Sequence, residues 1–437
     1  MKIPNILQIT THDTGRHFGC YGHPTLHTPA VDALAADGVR LTNLFCTAPI
    51  CSPARCSLLT GLHPQQHGVM DLVGPRGWAL YDPSRHLAAR LRAEAGFATA
   101  LIGTHHEIVR GKEAELGFDE IRPGTAKGRG RPSAPELAAE VRAWFQERAA
   151  EGNRRPFYLQ VGLIETHTPF DFGGAQPDVS RGVELPAYLA DDEGNRRRMA
   201  AFQGAVRQAD AGIGAMLEAL RESGLEEETL VVVTTDHGIE MPRAKWELHD
   251  PGLEVAMVVR CPALGLTGGR TVGALLSGVD YLPTLMELIS RDPGPVAGRS
   301  FAGLLKGESQ EEIRDAVFAS FNQRGNARAV RTRRHKLIRF FNDYGIYPRP
   351  VASDGLLVKS VSSPVLLFDL EGDPHEFCDL SANAAYQPVR EELETRLWQW
   401  MEEVGDPLLR GPWETPTYRR AMADYQAWSS RGSVNKS

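Results

Sequence analysis

Short apolar runs alternate with segments of helical periodicity along most of the chain. Six runs have the length and β-branched content of buried strands: "NILQIT" (5–10), "LTNLFC" (41–46), "ATALIG" (98–103), "FYLQVGLI" (157–164), "TLVVVTTD" (229–236) and "VAMVVR" (255–260). Between them, apolar residues recur at helical spacing in segments such as "TPAVDALAADG" and "PELAAEVRAWFQERAA". This alternation predicts an α/β fold with a mainly parallel sheet sandwiched by helices.

The pattern changes towards the end of the chain. "ARAVRTRRHKLIRFF" and "PVLLFDLEGDPHEFCDL" are typical of strands joined by turns, and "PVREELETRLWQWMEEV" is typical of an amphipathic helix. We predict a main α/β domain over residues 1–315. A smaller C-terminal subdomain, an antiparallel β-sheet plus a helix, is predicted over residues 316–437.

Four of the predicted strands run directly into residues that bind metals or transfer protons. "NILQIT" is followed by "THDTGR", "ATALIG" by "THHE", "FYLQVGLI" by "ETHTPF" and "TLVVVT" by "TDHG". Functional groups of an open parallel sheet gather beyond the carboxyl ends of its strands. One such loop would be an ordinary solvated loop, but four of them predict a cluster at a single edge of the sheet.

Composition narrows the classes of partner. A formal net charge of -7 over 437 residues argues against a nucleic-acid-binding surface. The start, "MKIPNILQIT", lacks a signal-peptide cleavage site, and no later run approaches the roughly 20 apolar residues of a membrane span. The six cysteines include no CxxC pair, which argues against a disulfide framework or a thiolate zinc site. We expect a cytoplasmic protein with a small substrate and no nucleic-acid or membrane partner, and a homo-oligomer stays open.

The segment "CSPARCSLLTG" (51–61) places a cysteine at the mouth of a predicted helix. Ser52 is a good N-cap and Pro53 fits the first helical position, so free N–H groups should face Cys51. An anion is favoured at such a helix start. The alternative is that Cys51 is a small buried apolar side chain beside a capped helix.

The same segment resembles the signature of the sulfatase family, in which the cysteine of a C-x-P-x-R motif is converted to formylglycine and the motif closes with L-T-G. Other segments resemble the family in the same order: "PNILQITTHD", "HTPAVDALAADGVRLTNLF", "TDHG", "GVDYLPTLMEL" and "LFDLEGDPHEFCDL". "GLIETHTPF" and "EGDPHEFCDL" are most similar to the heparan N-sulfatase (sulfamidase) branch. The resemblance covers nearly the whole chain and implies an alkaline-phosphatase-like fold.

The resemblance also implies a reaction, the hydrolysis of a sulfate ester or sulfamate of a sugar or aryl compound. Hydrated formylglycine at position 51 offers a geminal diol. One oxygen attacks sulfur, and deprotonation of the other expels sulfate and restores the aldehyde. A divalent cation and basic side chains hold the sulfate oxygens. A formylglycine-generating enzyme is the implied transient partner.

The metal ligands that the resemblance implies are Asp13, Asp236, His237 and the oxygen of modified Cys51. The family has a pair of aspartates after the first strand, whereas here His12 precedes Asp13. An all-oxygen site favours Ca²⁺ or Mg²⁺, and imidazole ligands also suit Mn²⁺, Zn²⁺ or iron. Calcium is the expected ion, with His12 as a further ligand. That His12 does not bind the metal stays open.

Proton transfer and sulfate binding are implied for a second group of residues. Arg55 should steady the diol and His106 should assist its collapse. His167 and Lys245 should contact the sulfate and protonate the leaving atom, because an imidazole near neutrality and a fixed positive charge suit these tasks. His249, in "WELHDPG", is a further candidate for a substrate contact.

A second departure from the family lies in "IGTHHE". The family has a lysine at the position of Thr104, two residues before the histidine that matches His106. His105, or an arginine from elsewhere such as Arg16, is a candidate to replace that cation in substrate binding. The loss of the lysine indicates a substrate with a different charge.

Two other functions stay open. Phosphoryl and sulfuryl groups are both tetrahedral and need similar metal and cation placement, so a phosphonate monoester or phosphodiester hydrolase is one alternative. The other is a non-catalytic anion-binding protein in which Cys51 is never converted. The intact mass of the protein and its rates on the three substrate classes distinguish these functions.

Overall fold

The computed structural model describes residues 3–74, 77–122, 132–322, 326–341, 350–351, 356–357, 364–411, 419 and 422–423. In chain order, the strands are β1 (Asn5–Thr11), β2 (Val39–Leu41), β3 (Leu44–Phe45), β4 (Ala98–Gly103), β5 (Glu120–Arg122), β6 (Phe157–Gly162), β7 (Thr229–Thr235), β8 (Met257–Arg260), β9 (Arg270–Val272), β10 (Leu276–Ser277), β11 (Val317–Phe321), β12 (Ala327–Arg331), β13 (His335–Phe340), β14 (Pro350–Val351), β15 (Leu356–Leu357) and β16 (Val365–Asp369). The α-helices are α1 (Pro29–Asp37), α2 (Cys51–Thr60), α3 (Pro64–His67), α4 (Leu87–Ala95), α5 (Ala134–Ala150), α6 (Glu193–Glu222), α7 (Asp250–Leu253), α8 (Tyr281–Leu288), α9 (Ala302–Lys306) and α10 (Gln387–Glu403).

The central sheet has eight strands in the order β5-β4-β6-β1-β7-β8-β2-β9. Neighbouring strands are parallel except at β8, which runs antiparallel to both β7 and β2. β1 lies in the middle, where Leu7 is paired with Leu159 of β6 on one side and Val231 of β7 on the other. The predicted mainly parallel sheet is confirmed.

The run predicted as one strand over 41–46 is divided in the structure. The Thr42 N–H donates to the Val272 carbonyl at 3.0 Å, and the Asn43 side chain donates to the Gly273 carbonyl at 2.8 Å. The chain leaves the central sheet at these two polar residues. β3, which follows them, pairs with β10 in a separate two-stranded sheet. The single-strand prediction is wrong because these polar side chains interrupt the apolar run.

Helices cover both faces of the central sheet because each strand alternates its side chains between two apolar cores. Leu7 of β1 packs in the core that contains α1, α5 and α6, whereas Ile6 packs in the core that contains α2, α4 and α8. Gln8 lies buried on the second face, where its Oε1 accepts the hydroxyls of Tyr158 at 3.1 Å and Tyr281 at 2.8 Å. The sandwich predicted from the sequence is confirmed.

α6, with 30 residues, is the longest helix in the described part of the chain. Its buried positions include Met199, Phe202 and Ile213, whereas Arg196 and Arg221 are exposed, so one face packs on the sheet and the other meets water. Across the described ranges, we find no helix with both the length and the apolar character needed to cross a bilayer. The cytoplasmic location stays a prediction.

The C-terminal subdomain is a second sheet of four antiparallel strands in the order β11-β12-β13-β16. α10 packs against it through Leu393, Leu397 and Met401. Trp400 of the same helix stacks on Phe318 of β11, with 5.1 Å between ring centroids. The predicted antiparallel sheet with one amphipathic helix is confirmed, and a domain division between residues 315 and 316 stays a prediction.

Buried ion pairs join this second sheet to the loop that precedes β8. Asp250, the first residue of α7, receives Lys336 Nζ at 2.9 Å and Arg331 Nε at 3.0 Å. Glu376 accepts the Asp250 N–H at 2.6 Å and pairs with Lys336 at 2.9 Å. Because these groups are buried, removing one partner would leave an uncompensated charge in the interior.

Candidate active site

The loops after β1, β4, β6 and β7 bring their polar side chains together at one edge of the central sheet. His12 Nε2 lies 3.0 Å from His106 Nδ1, and the rings of His12 and His167 are 4.9 Å apart. His12 Nδ1 lies 3.5 Å from Asp236 Oδ2. The clustering expected from the strand ends is therefore present.

Cys51 is the first residue of α2 and is 2% exposed. The helix starts earlier than predicted, with Ile50 as its N-cap residue and no capping side chain. Ser52 lies inside the first turn, where its Oγ accepts the Val73 N–H at 3.2 Å. The predictions of Ser52 as N-cap and Pro53 as first helical residue are wrong because that hydroxyl bonds to the next loop. Pro53 is tolerated at the third position because its nitrogen lies among those without an intrahelical partner.

The Cys51 thiol faces the cluster of histidine and aspartate side chains. Its Sγ is 3.3 Å from His237 Nε2, 3.9 Å from His12 Nδ1 and 4.0 Å from Asp13 Oδ1. Burial raises the pKa of Cys51 well above its usual value, so the side chain is a thiol rather than a thiolate at neutral pH. As a protonated thiol, unmodified Cys51 is a poor nucleophile here.

His12, Asp13, Cys51, Asp236 and His237 form a buried set whose ligand atoms all lie within 4.8 Å of one another. Asp13 has a left-handed backbone conformation, with φ of 48°, and its N–H donates to Asp236 Oδ1 at 2.9 Å. His237 Nε2 lies 3.1 Å from Asp13 Oδ1. Two carboxylates and two imidazoles directed at one point fit a divalent cation.

Two buried cations flank these carboxylates. Arg55 Nε donates to Asp236 Oδ2 at 3.0 Å, and Lys245 Nζ donates to Asp13 Oδ2 at 2.6 Å. Although burial alone would raise it, the Lys245 ammonium holds the pKa of Asp13 well below its usual range. Arg55 Nη2 is buried without a hydrogen-bond partner among the described residues. Part of the guanidinium group is thus available to a group bound beside Cys51.

His12 is held with one ring nitrogen toward the metal-binding set. Its Nδ1 lies 2.6 Å from Asp13 Oδ1, while its Nε2 contacts His106. The His12 carbonyl accepts the hydroxyls of Thr14 and Thr166. Burial lowers the pKa of His12 to about 4, so the ring is neutral at pH 7. Its orientation and charge are those that a metal ligand needs.

The sequence analysis missed Glu240, a carboxylate on the outer side of the cluster. Glu240 Oε2 accepts Lys245 Nζ at 3.1 Å and the Thr168 hydroxyl at 2.6 Å, and it lies 4.0 Å from His167 Nδ1. The His167 side chain is 30% exposed and that of Glu240 is 23% exposed, whereas Lys245 is 2% exposed. A signal was present in the sequence, since Glu240 stands between "TDHG" and Lys245.

Glu107 is a second carboxylate that the sequence analysis missed, and unlike Glu240 it is buried. Its Oε2 accepts the His106 N–H at 2.7 Å, and its Oε1 accepts Gln160 Nε2 at 3.1 Å. Gln160 Oε1 in turn accepts the Tyr158 hydroxyl at 2.8 Å, which connects Glu107 to the buried polar groups beside β1. Glu107 thereby fixes the backbone at His106.

The side chains considered as replacements for a lysine at Thr104 are paired elsewhere. His105 Nε2 lies 2.9 Å from a carboxylate oxygen of Glu113. Arg16 forms an ion pair with Glu254. Each of these cations thus already has a carboxylate partner, and the role of either one in substrate binding stays a prediction.

His249 lies apart from the other candidate residues. Its Nδ1 is 3.3 Å from a carboxylate oxygen of Glu247, and its ring lies 5.8 Å from that of Phe368 in the C-terminal sheet. Within the described ranges, no contact joins His249 to the Cys51 cluster. Its role as a substrate contact stays a prediction.

Comparison with known proteins places the chain in a family. Residues 4–290 match the sulfatase family, and residues 243–348 match the family described as N-sulphoglucosamine sulphohydrolase, C-terminal. The chain is 28% identical to an ulvan-active sulfatase of Formosa agariphila, over 92% of this chain and 75% of that protein. It is 27% identical to the N-sulphoglucosamine sulphohydrolase of Homo sapiens, over 93% of this chain and 92% of that protein.

The fold is shared beyond sulfatases. The structure of a phosphonate monoester hydrolase of Agrobacterium radiobacter superposes with a TM-score of 0.71 at 23% identity, over 95% of this chain and 98% of that one. This likeness supports the alkaline-phosphatase-like fold and leaves the substrate to be decided by the site. Since the sulfatase match spans most of the sequence, the chain belongs to the sulfatase family of hydrolases.

Proposed function

We propose that this protein hydrolyses a sulfate ester or a sulfamate, with Cys51 converted to formylglycine. The position of Cys51 carries the proposal. Its side chain is buried within 4.0 Å of His12, Asp13 and His237, so a formylglycine hydrate at this position would place its hydroxyl groups among the candidate metal ligands. The x-P-x-R residues that follow it are the signal for conversion in the family.

We assign the divalent cation to His12, Asp13, Asp236 and His237. When bound, it would supply positive charge to the sulfate oxygens and to the diol oxygen at position 51. The neutral His12 ring suits this role. In the structure its Nδ1 donates to Asp13 Oδ1 at 2.6 Å, so binding of the ion would require the other tautomer, in which Nε2–H donates to His106. Two imidazole nitrogens favour Mn²⁺, Zn²⁺ or iron, and we now place these ions ahead of calcium, which prefers oxygen ligands.

Proton transfer to the leaving atom is assigned to His167. Its Nδ1 lies 2.7 Å from the Thr168 carbonyl, so Nδ1 carries a proton and donates it there. The opposite nitrogen, Nε2, lies 3.9 Å from Asp13 Oδ2 and faces the cluster. When protonated, Nε2 can give its proton to the leaving oxygen or nitrogen of a bound substrate.

The remaining polar side chains hold charge in place. Lys245 provides a fixed ammonium where negative charge accumulates during transfer, and Arg55, whose Nη2 has no hydrogen-bond partner among the described residues, is assigned to the group at position 51. His106, fixed through its backbone by Glu107, is assigned to the diol and its collapse. Lys245 and Arg55 are buried, where charge interactions are stronger than in water.

A sulfated sugar is the substrate class that we favour. The relative named N-sulphoglucosamine sulphohydrolase aligns with nearly the full length of this chain, and the C-terminal match is to the same group. A sulfamate and a sugar sulfate ester differ only in the leaving atom that His167 would protonate. Both therefore belong in the first set of substrates.

The test combines mass spectrometry with three substrates. Protein co-expressed with a formylglycine-generating enzyme should be about 18 Da lighter at the Cys51 peptide than the Cys51→Ala variant corrected for its substitution. The converted protein should hydrolyse a sulfate ester or a sulfamate faster than a phosphonate monoester. Higher rates on the phosphonate would instead support a phosphonate monoester or phosphodiester hydrolase. An unconverted Cys51 together with no turnover of any of the three would support the anion-binding alternative.

A further inference from the structure

We infer that Glu240 selects substrates by charge, and that the site accepts leaving groups with no second anion beside the scissile bond. Leaving groups that present a hydrogen-bond donor or a positive charge at that point should be preferred. This inference rests on the proposed function, since it concerns the leaving group of the same hydrolysis. It assigns Glu240 as a specificity-determining residue rather than a catalytic one.

The geometry places Glu240 where the leaving group must pass. It contacts Lys245 and lies beside His167, the two side chains assigned to the sulfate and to the leaving atom. Asp13, Lys245 and Glu240 form a row of alternating charge that runs from the fully buried metal-binding set to the partly exposed outer side. Glu240 is the outermost charge of that row.

The carboxylate is held in a fixed position. All of its contacts within the described ranges are made through Oε2, which accepts from Lys245 and from the Thr168 hydroxyl. The Glu240 carbonyl accepts Arg198 Nη2 at 2.8 Å, which anchors the backbone as well. Oε1 is left to meet a substrate, and a carboxylate oxygen can only accept a hydrogen bond.

The cations of the site do not neutralise the negative charge of the Glu240 carboxylate. The Lys245 ammonium is shared between Asp13 and Glu240, and position 104 carries a threonine instead of the lysine of the family pattern. A substrate with one sulfate can still be held by the cation and the buried donors. A second carboxylate or sulfate beside the leaving atom would instead face Glu240 at short range, where like charges repel strongly in partly buried surroundings.

Two aryl sulfates that differ by one carboxylate test the inference. The probes are 4-nitrophenyl sulfate and its 2-carboxy derivative, and the readout is the ratio of their kcat/KM values. Comparing this ratio between variants cancels the intrinsic difference in reactivity between the probes. Glu240→Gln keeps the size and the acceptor oxygen but removes the charge. It should shift the ratio about tenfold toward the carboxylated probe, as expected for losing one like-charge contact.

Two further variants serve as controls. Glu240→Asp keeps the charge and should keep most of the wild-type preference. Glu227→Gln removes a carboxylate whose side chain is 71% exposed, and it should leave both rates unchanged. An unchanged ratio in Glu240→Gln, with both probes still turned over, would overturn the inference while leaving the sulfatase activity established.

A measurement on the wild-type protein covers the case in which Glu240→Gln does not fold. The 2-aminomethyl derivative of 4-nitrophenyl sulfate should be preferred over the 2-carboxy derivative, and added salt should reduce that preference because Glu240 is partly exposed. Equal use of the two derivatives at low salt would also overturn the inference. Failure of the converted, metal-loaded protein to hydrolyse any aryl sulfate or sulfamate would count against the proposed function instead.

Discussion

The site around Cys51 has two walls that differ in burial and in charge balance. The inner wall consists of Asp13, Cys51, Arg55, Asp236 and His237. None of these residues is more than 3% exposed, and each matches the residue type that the sulfatase resemblance implies. Because these side chains are close-packed, they have little freedom to adapt to different substrates.

The outer wall consists of His167 and Glu240, whose Nδ1 and Oε2 atoms lie 4.0 Å apart. Both side chains are partly exposed, and Glu240 is not among the site residues that the resemblance implies. This difference indicates that one set of residues carries out the reaction and another selects the substrate. Changes to the inner wall should affect all substrates alike, whereas changes to the outer wall should alter their ranking.

The largest effect is expected at Cys51 itself. Cys51→Ala should lower kcat by at least about a thousandfold on every substrate, because the group that carries the covalent step is removed. Cys56→Ala is the matched control, since this second cysteine of α2 is buried and makes its recorded Sγ contact, at 3.6 Å, to a backbone carbonyl. Substantial turnover by Cys51→Ala would show that the inner wall does not work as proposed.

A weaker but still large effect is expected at Asp236. Asp236→Asn removes one of two buried carboxylates and the partner of Arg55, so the affinity for Mn²⁺ should fall roughly a hundredfold. Calorimetric titration of metal-free protein measures this directly. Asp37→Asn, at a side chain 55% exposed, should bind Mn²⁺ like the wild type. Equal Mn²⁺ affinity in both variants would show that Asp236 does not bind the metal.

A substitution at His12 is expected to change which metal ion the site prefers rather than how tightly it binds metals overall. His12→Asp replaces one imidazole by a carboxylate, so binding of Ca²⁺ relative to Zn²⁺ should increase about tenfold. Competition between the two ions, read by elemental analysis of the dialysed protein, gives the ratio. An unchanged ratio would support the alternative in which His12 does not bind the metal.

The smallest effect is expected from a residue that acts only through position. Thr166→Val removes a hydroxyl that donates to the His12 carbonyl, a contact of about 1 kcal/mol. We expect a severalfold lower kcat with little change in KM. The substrate ranking should stay the same, because Thr166 supports the inner wall. A changed ranking would mean that the two walls are coupled.

Much of this architecture could be predicted from the sequence because it depends on periodicity. Alternating apolar runs identified the central strands, and the residues after β1, β4, β6 and β7 identified the edge where the site lies. The start of α2 could not be predicted as well, because the Ser52 hydroxyl had an alternative partner in Val73, twenty-one positions later. The local preference of Ser52 for the N-cap position was outweighed by a hydrogen bond to Val73 that forms only in the folded chain.

The outer wall was the least predictable part of the site. Glu240 and Glu107 follow no periodic pattern, and their importance depends on which cations the fold places beside them. His105 was predicted as a substrate contact without any sign in the sequence that Glu113, in a different turn, pairs with it. Pairing of charges across loops depends on tertiary structure, so the sequence supplied the residue types without their partners.

The buried Asp250 has a consequence for how much of the polypeptide is needed. Its two cationic partners, Lys336 and Arg331, come from the C-terminal sheet, and five positions before it stands Lys245. A fragment cut after residue 315 would lose both of these cations, and with them Glu376, which accepts the Asp250 N–H. The segment that carries Lys245 would then lose its support. The C-terminal part of the protein is therefore needed to stabilise the reaction centre.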